Sequence, residues 1–395
     1  MNLVVFDDPI IRTDLLPFTF TRPVAAIRVG ILTIKEKWDT HFSKPASWLT
    51  QDYLQEKFPL NTTRDNLLIN GAICPDGELV KAVQGLKMGE RLVKGVWTVA
   101  ARMEDVRSFG DATFTATEYP GSITVIDYVW RIFQHNGEQI RSDFELITRG
   151  RKSNAIKDPH TKTYAEENIF VEEGAVIQAA ILNAATGPIY VGKNAEVQEG
   201  AVIRGPFSLG ESSTVSIGAK MRSDTTIGPF CKVGGEISNA VIFGYSNKVH
   251  DGFLGSSVLG EWCNLGADTN TSNLKNNYDA VKLWNYRKGG FQNTGLLFCG
   301  LMMGDHCKSG INTMFNTGTV AGVSSNIFGD GYPRNFIPSF AWGGAAGFTS
   351  FQLEKACETA SKAMGRRNLT LTEADKRILK NVFDQTVAER GWEKK

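Results

Sequence analysis

The chain carries almost no net charge, only five histidines and no paired-cysteine motif. Its 43 Lys and Arg residues are balanced by 42 Asp and Glu, for a formal charge of +1. A field that would hold a nucleic-acid backbone is therefore missing, and no nucleic-acid partner is expected. The six cysteines contain no C-x-x-C, which excludes a zinc ribbon. A chain this long does not need disulfides for stability, and Cys299 and Cys307 are expected to be small core residues. No apolar stretch reaches the ~18 residues of a membrane span. The opening MNLVVFDDP is too short and too acidic for a signal peptide, so a soluble, cytoplasmic protein is expected. Three motifs are also absent: H-E-x-x-H, G-x-S-x-G, and G-x-G-x-x-G placed after a strand. GPIYVGKN (187–194) approaches a phosphate loop but ends in Asn194 and lies within a regular six-residue period with no helix to follow.

Glycine, in contrast, is plentiful, with 40 residues concentrated after position 170. A chain of 395 residues suggests two or three domains. Residues 1–150 mix short apolar strands (2–6, 67–73, 95–101) with helical spacing over 26–42 and 122–134, which predicts an α/β domain. Residues 151–345 differ. Apolar residues recur every six positions from Val191 through Val197, Ile203, Leu209, Val215, Met221 and Ile227 to Val233. The register resumes at Leu259 and Leu265, then at Leu297, Met303, Ser309, Phe315, Ala321 and Ile327. Neither a helix nor a hairpin sheet has this period; a hexapeptide β-helix does. Gly or Asn is expected at its corners, where positive φ is often needed. The period breaks at 180–189 and 273–295, and such loops tend to project and bind ligands. Residues 346–395 switch to helix, with capping-box spacing at Thr349–Gln352 and Thr372–Asp375. These helices are expected to cap the last coil or to pack on a neighbouring chain.

The hexapeptide array resembles the left-handed β-helix acyltransferases. GYSNKVHDGFLG (244–255), CNLGADTNTSN (263–273) and MGDHCKSGINT (303–313) resemble successive stretches of the bifunctional UDP-N-acetylglucosamine pyrophosphorylase / glucosamine-1-phosphate N-acetyltransferase family. LLPFTFTRPVAAIRVG (15–30) is similar to the R-P-L-T-x-x-x-P-K-x-x-x-x-V-G stretch of sugar nucleotidyltransferases. The resemblance implies a nucleotidyltransferase-like α/β domain, then a left-handed parallel β-helix, then C-terminal helices.

The resemblance also implies a set of roles. His250 would be the base that deprotonates the amine as it attacks the thioester. Arg222, Lys248, Phe253, Asn273, Asn277, Tyr278 and Lys282 would bind the sugar phosphate. Phe253 replaces the family tyrosine, and Ser238 replaces a substrate lysine for which Lys248, Lys275 or Lys282 would substitute. Either Asn273 or Asn277 matches the substrate asparagine, depending on where a loop insertion is placed. Asn264, Ala267, His306, Asn312 and Thr313 would face acyl-CoA, with Ile311 in place of a serine. Arg12, Thr19, Arg22 and Asn70 would contact nucleotide, with Mg²⁺ if that domain is active. The domain departs from the family: FDDPIIRTDLLP has no glycine, Val24 replaces the lysine, and Asn70-Gly71-Ala72 lacks the metal aspartate. Either the chemistry is rebuilt on Asp7 or Asp8, Arg12, Arg22 and Asp76, or the domain only binds. No metal ligand set is identified. Substrates would be sugar phosphates, nucleotides and acetyl-CoA, and the family implies a homotrimer. Two alternatives stay open: a nucleotidyltransferase whose β-helix only assembles the oligomer, and a non-catalytic ligand-binding scaffold.

Overall fold

In the computed structural model, which describes residues 1–393, the first domain is built on a six-stranded sheet. Its strands run in the order Ser47–Leu49, Asn2–Phe6, Asn66–Asn70, Trp97–Met103, Glu90–Lys94, Thr115–Glu118. The first three are parallel, and their apolar runs Leu3–Phe6 and Leu67–Ile69 are buried. The helix expected over 26–42 starts only at Ile34, where Thr33 and Glu36 close a capping box; residues 24–26 form a 3₁₀ turn. The helix expected over 122–134 is also shortened. Thr124–Val125 pairs with Ile73–Cys74 as a strand, leaving Val129–Gln134 helical and Asn136–Thr148 to follow.

The rest of the chain up to residue 344 winds into a left-handed parallel β-solenoid with three faces. On the first face lie Val202–Arg204, Lys220–Met221 and the starts of the long strands Glu236–Ile242 and Phe253–Leu259. The second face stacks Phe207–Leu209, Thr225–Ile227, the ends of those two strands, Met302–Met303 and Val320–Ala321. The third stacks Thr214–Val215, Lys232–Val233, Asn247–Lys248, Asn264–Leu265, Lys308–Ser309 and Asn326–Ile327. Residues six apart take the inward position on successive faces, and residues one full coil apart meet in register, as Val191 with Leu209 and Ile227 and Val197 with Val215 and Val233. Ser309 fits despite its hydroxyl, which shares a hydrogen bond with buried Thr269 at 2.9 Å. Leu297 does not: it is 49% exposed, because the second interruption, with its hairpin Lys282–Asn285/Gly290–Asn293, ends only where the coil resumes.

The corners show a second departure. Gly218, Gly235 and Asn312 do occupy left-handed backbone. On the edge between the second and third faces, however, Phe230, Tyr245, Trp262 and His306 have φ of 59°, 59°, 62° and 61°. Side chains of this size rarely adopt such values. Here their rings stack up the edge at centroid spacings of 5.0, 4.3 and 6.4 Å, an interaction that offsets the backbone cost.

The first domain lies against the second face, with Trp130, Ile132 and Phe133 in one core with Val241, Val258 and Met302. The C-terminal helices Leu353–Gly365 and Glu373–Gln385 follow the ring-bearing edge. Ala360, Met364, Ile378 and Leu379 join Trp262 and Phe340 of the solenoid to Leu16, Phe20 and Leu54 of the first domain. They therefore wedge two parts of one chain together, and they also pack on the last coil, where the Phe383 ring meets Phe340 at 5.0 Å. Thr372 and Asp375 form their capping box. Thr349 does not cap, because it sits in the strand Gly347–Ser350 paired with Ala341–Gly344.

Candidate active site

Lys248 occupies an inward position of the third face, where the coil below places Val233. Its buried ammonium donates to the carbonyls of His250, at 2.5 Å, and Asp251, at 3.0 Å. Burial lowers its pKa to about 8. Lys248 thus braces the corner 249–252 from inside instead of facing solvent. The corner needs Gly252, at φ +110°. It closes over Gly235, where a Cβ would meet the His250 carbonyl at 2.9 Å. His250 itself is exposed on this edge, between the third and first faces.

The first face continues the site. Glu236 and Phe253 are register partners, and Arg222 Nη1 binds Glu236 Oε1 at 3.1 Å. The Phe253 N–H donates to Asn270 Oδ1 at 2.8 Å. Gly255, beside Ser238 in register, has no side chain; a Cβ there would come within 2.4 Å of the Phe253 ring and 2.6 Å of the Asn273 amide. Asn273 Nδ2 reaches Ser256 Oγ at 3.4 Å. A guanidinium, a carboxylate, a ring and an amide therefore follow one another beside His250. Asn277 and Tyr278 lie apart, exposed in the interrupting loop, where Asn277 binds Asp279 at 2.6 Å. Lys282 lines a cavity of about 600 Å³ with Lys275, Arg334, Trp284 and Phe336. The Trp284 ring stacks on Phe336 at 4.1 Å.

Ala267 and Asn312 stack on the His250 edge, joined by Asn312 N–H to Ala267 O at 2.8 Å. Thr313 is buried and donates to Gly310 O at 2.9 Å. Asn264 projects from the third face. His306 stands on the other edge, at the end of the ring stack. Burial holds its pKa down to about 3, and its Nδ1 has no partner. The hexad position separates the two histidines: His306 follows Met303 by three residues, as Trp262 follows Leu259, whereas His250 follows Lys248 by two. That offset was the signal for the ring ladder, which motif matching missed.

In the first domain the matched residues are engaged in structure. Arg12 binds Thr19 O at 2.8 Å and Tyr53 Oη at 2.6 Å, and Thr19 donates back to Arg12 O. Asn70 is buried, bonded to Thr98 O and to the Ala72 N–H. Arg22 reaches the solenoid, pairing with Asp305 and with Glu261 at 3.2 Å. Thr21 donates to the same Asp305 at 2.7 Å. This junction encloses about 410 Å³ between Arg22, Trp48, Lys57, Trp262, His306 and Asp375. Beside the end of the strand Asn66–Asn70 the packing is close: a Cβ on Gly71 would meet Ala25 and Phe6 O at 3.1 Å. The carboxylates do not fit a divalent cation. Asp8 and Asp76 cap helices, and Asp7 is buried against the Val24 N–H and Thr50 Oγ1, with its pKa raised by burial to about 6. Among the described residues no three His, Cys, Asp or Glu converge as a metal cluster. No helix is long and apolar enough to cross a membrane among those residues.

Residues 3–152 match a family model described as sugar nucleotidyl transferase. The chain is 31% identical over 108 residues to the bifunctional protein GlmU of Trichodesmium erythraeum, covering 27% of this chain and 22% of that protein. It is 26% identical over 168 residues to an uncharacterized acetyltransferase, YaiX, of Escherichia coli, covering 42% and 72%. The match thus spans about a fifth of the GlmU length. Among solved structures, an Arabidopsis UDP-N-acetylglucosamine acyltransferase aligns at a TM-score of 0.32 and 13% identity, over 59% of this chain and 92% of that one. By sequence the first domain is similar to sugar nucleotidyl transferases over residues 3–152, and the chain resembles sugar nucleotidyltransferases and hexapeptide-repeat acetyltransferases in general.

Proposed function

We propose that the chain transfers an acetyl group from acetyl-CoA to the amine of an amino-sugar phosphate, glucosamine-1-phosphate in the simplest case. The observation that carries this is the exposed His250 on a braced corner, beside the Arg222–Glu236–Phe253–Asn273 face. The amine nitrogen attacks the thioester carbonyl, a C–N bond forms and the C–S bond breaks. His250 takes the amine proton, and the CoA sulfur leaves and is protonated. Arg222 offers a guanidinium to the phosphate, Phe253 a ring face to the sugar, and Asn273 an amide to a hydroxyl. Acetyl-CoA would lie along the edge of Ala267 and Asn312 and supply the acyl group. Ile217 and Ile311, 72% and 73% exposed, flank His250 on that edge, which supports closure by a second copy in a homotrimer.

The test is thiol release from acetyl-CoA with glucosamine-1-phosphate. His250→Ala is expected to lower it at least ~100-fold, the lower end for loss of a general base. No release from folded native protein would reject this substrate. A second reading, uridylyl transfer by the first domain, is favoured by the match over 3–152. It predicts pyrophosphate release from UTP that survives His250→Ala. The committed carboxylates count against it. Ligand-induced stabilisation without any turnover would instead indicate a binding scaffold.

A further inference from the structure

We infer that the groove between the third face of the solenoid and the end of helix Leu353–Gly365 binds a nucleotide through two or more of its phosphates. The groove encloses about 490 Å³, a size suited to a nucleotide. Lys232, Lys308, Arg366 and Arg367 line it with Tyr245 and Trp262, and no carboxylate does among the described residues.

These cations stand out from their surroundings. Along the same helices Lys355 and Lys362 pair with Glu358, Lys376 with Glu373, Arg377 with Glu56, and Lys380 with Asp384. Among the described residues Arg366 and Arg367 have no carboxylate partner; Arg367 there reaches the Asn247 amide oxygen, at 3.3 Å. Cations at a helix C-terminus are favourable by themselves. That does not account for the facing wall. There Lys232, Asn247, Asn264 and Lys308 occupy one outward ladder in register, two cations with two amides between them. With strands about 4.8 Å apart, the ladder spans about 14 Å. Lys308 is the most telling. Its ammonium is held at the groove floor by two neutral carbonyls, Trp262 O at 2.7 Å and His306 O at 3.2 Å. Burial of this unneutralised charge lowers its pKa. An anion in the groove would supply the missing counter-charge.

One phosphate would leave most of these cations unmatched. A chain of phosphates along the ladder meets Lys232 and Lys308, while the Arg366 and Arg367 forks close from the helix side. The ring edges of Tyr245 and Trp262 give the nucleoside an apolar surface. The same chemistry belongs to the phosphoadenosine end of an acyl-CoA and to a uridine nucleotide. The inference does not rest on acetyl transfer, because the groove lies on a face and not on the His250 edge.

The test is calorimetric titration of the full chain with adenosine 3′,5′-bisphosphate and, separately, with UDP; no sugar or acyl group is present. At least one is expected to bind native protein, more weakly as salt rises, and at least ~10-fold more weakly to Arg366→Glu/Arg367→Glu. Preference for the adenosine compound assigns the groove to an acyl donor, and preference for UDP to a uridine nucleotide; either supports the inference. Lys232→Glu, an exposed change on the solenoid, gives a second reading if the double variant loses helix content. Failure of both ligands to bind, or equal binding by native protein and both variants, would overturn it.

Discussion

Polar residues of the first domain and of the solenoid's first face have opposite fates. In the first domain Arg12, Arg22, Asp7, Asp8, Asp76 and Asn70 are spent on caps, turns and docking. On the solenoid face Arg222 keeps 64% of its side-chain surface open, and His250 is exposed. A match in residue type is therefore no guide to role until the partners are known. The lysine and metal aspartate of the resembled nucleotidyltransferases are absent from the first domain, and the polar groups that remain are largely satisfied by the protein itself. The solenoid keeps its matched histidine free by bracing it through main-chain carbonyls, with Lys248 beneath.

The contrast is broken most severely at Arg22. Arg22→Ala would strand Asp305 and Glu261, and loss of one partner of a buried pair costs about 3–5 kcal/mol. Denaturant unfolding should show that loss. An unchanged midpoint would mean that Arg22 is not the docking residue described. Asp7 sharpens the same side through pH. Its folded-state pKa, about 6, lies above its ordinary value of 3.8, so its contribution is complete at low pH and fades as pH rises through 6. The swing is up to about 3 kcal/mol at 1.36 per pKa unit. Native protein should lose stability between pH 4 and 6 relative to Asp7→Asn, whose difference from native should vary across that window. Parallel curves would contradict a buried, titrating Asp7. On the solenoid side, Gly255→Ala should push Phe253 and Asn273 apart with little change in melting temperature, since both can shift as side chains. A drop of about 10-fold in acetyl transfer is expected from such misplacement. Full activity would separate these two residues from the site.

How far the sequence could be read follows from the range of the interactions. The solenoid was legible because its inward position repeats every six residues and needs only local counting. Counting failed at Leu297, which lies just past the inserted hairpin and before the coil resumes, and is exposed. His250, Ala267 and Asn312 were assembled by motif onto one edge. His306 was grouped with them although its hexad offset puts it on another, where it ends a stack of three aromatic rings. Arg22 could not be read at all from its neighbours, because Glu261 and Asp305 lie more than 230 residues away.

The wedge of C-terminal helices sets an order of events during synthesis. The seat of the first domain includes Ile378, Leu379 and Val382, and Arg377 reaches back to Glu56. Leu54 and Phe20 can find that surface only after residues up to Val382 have left the ribosome. At roughly 5–20 residues per second, the first domain waits tens of seconds for its final partner. During that interval the coils accumulate beside it one at a time, so a domain made before the solenoid receives its last contacts after it.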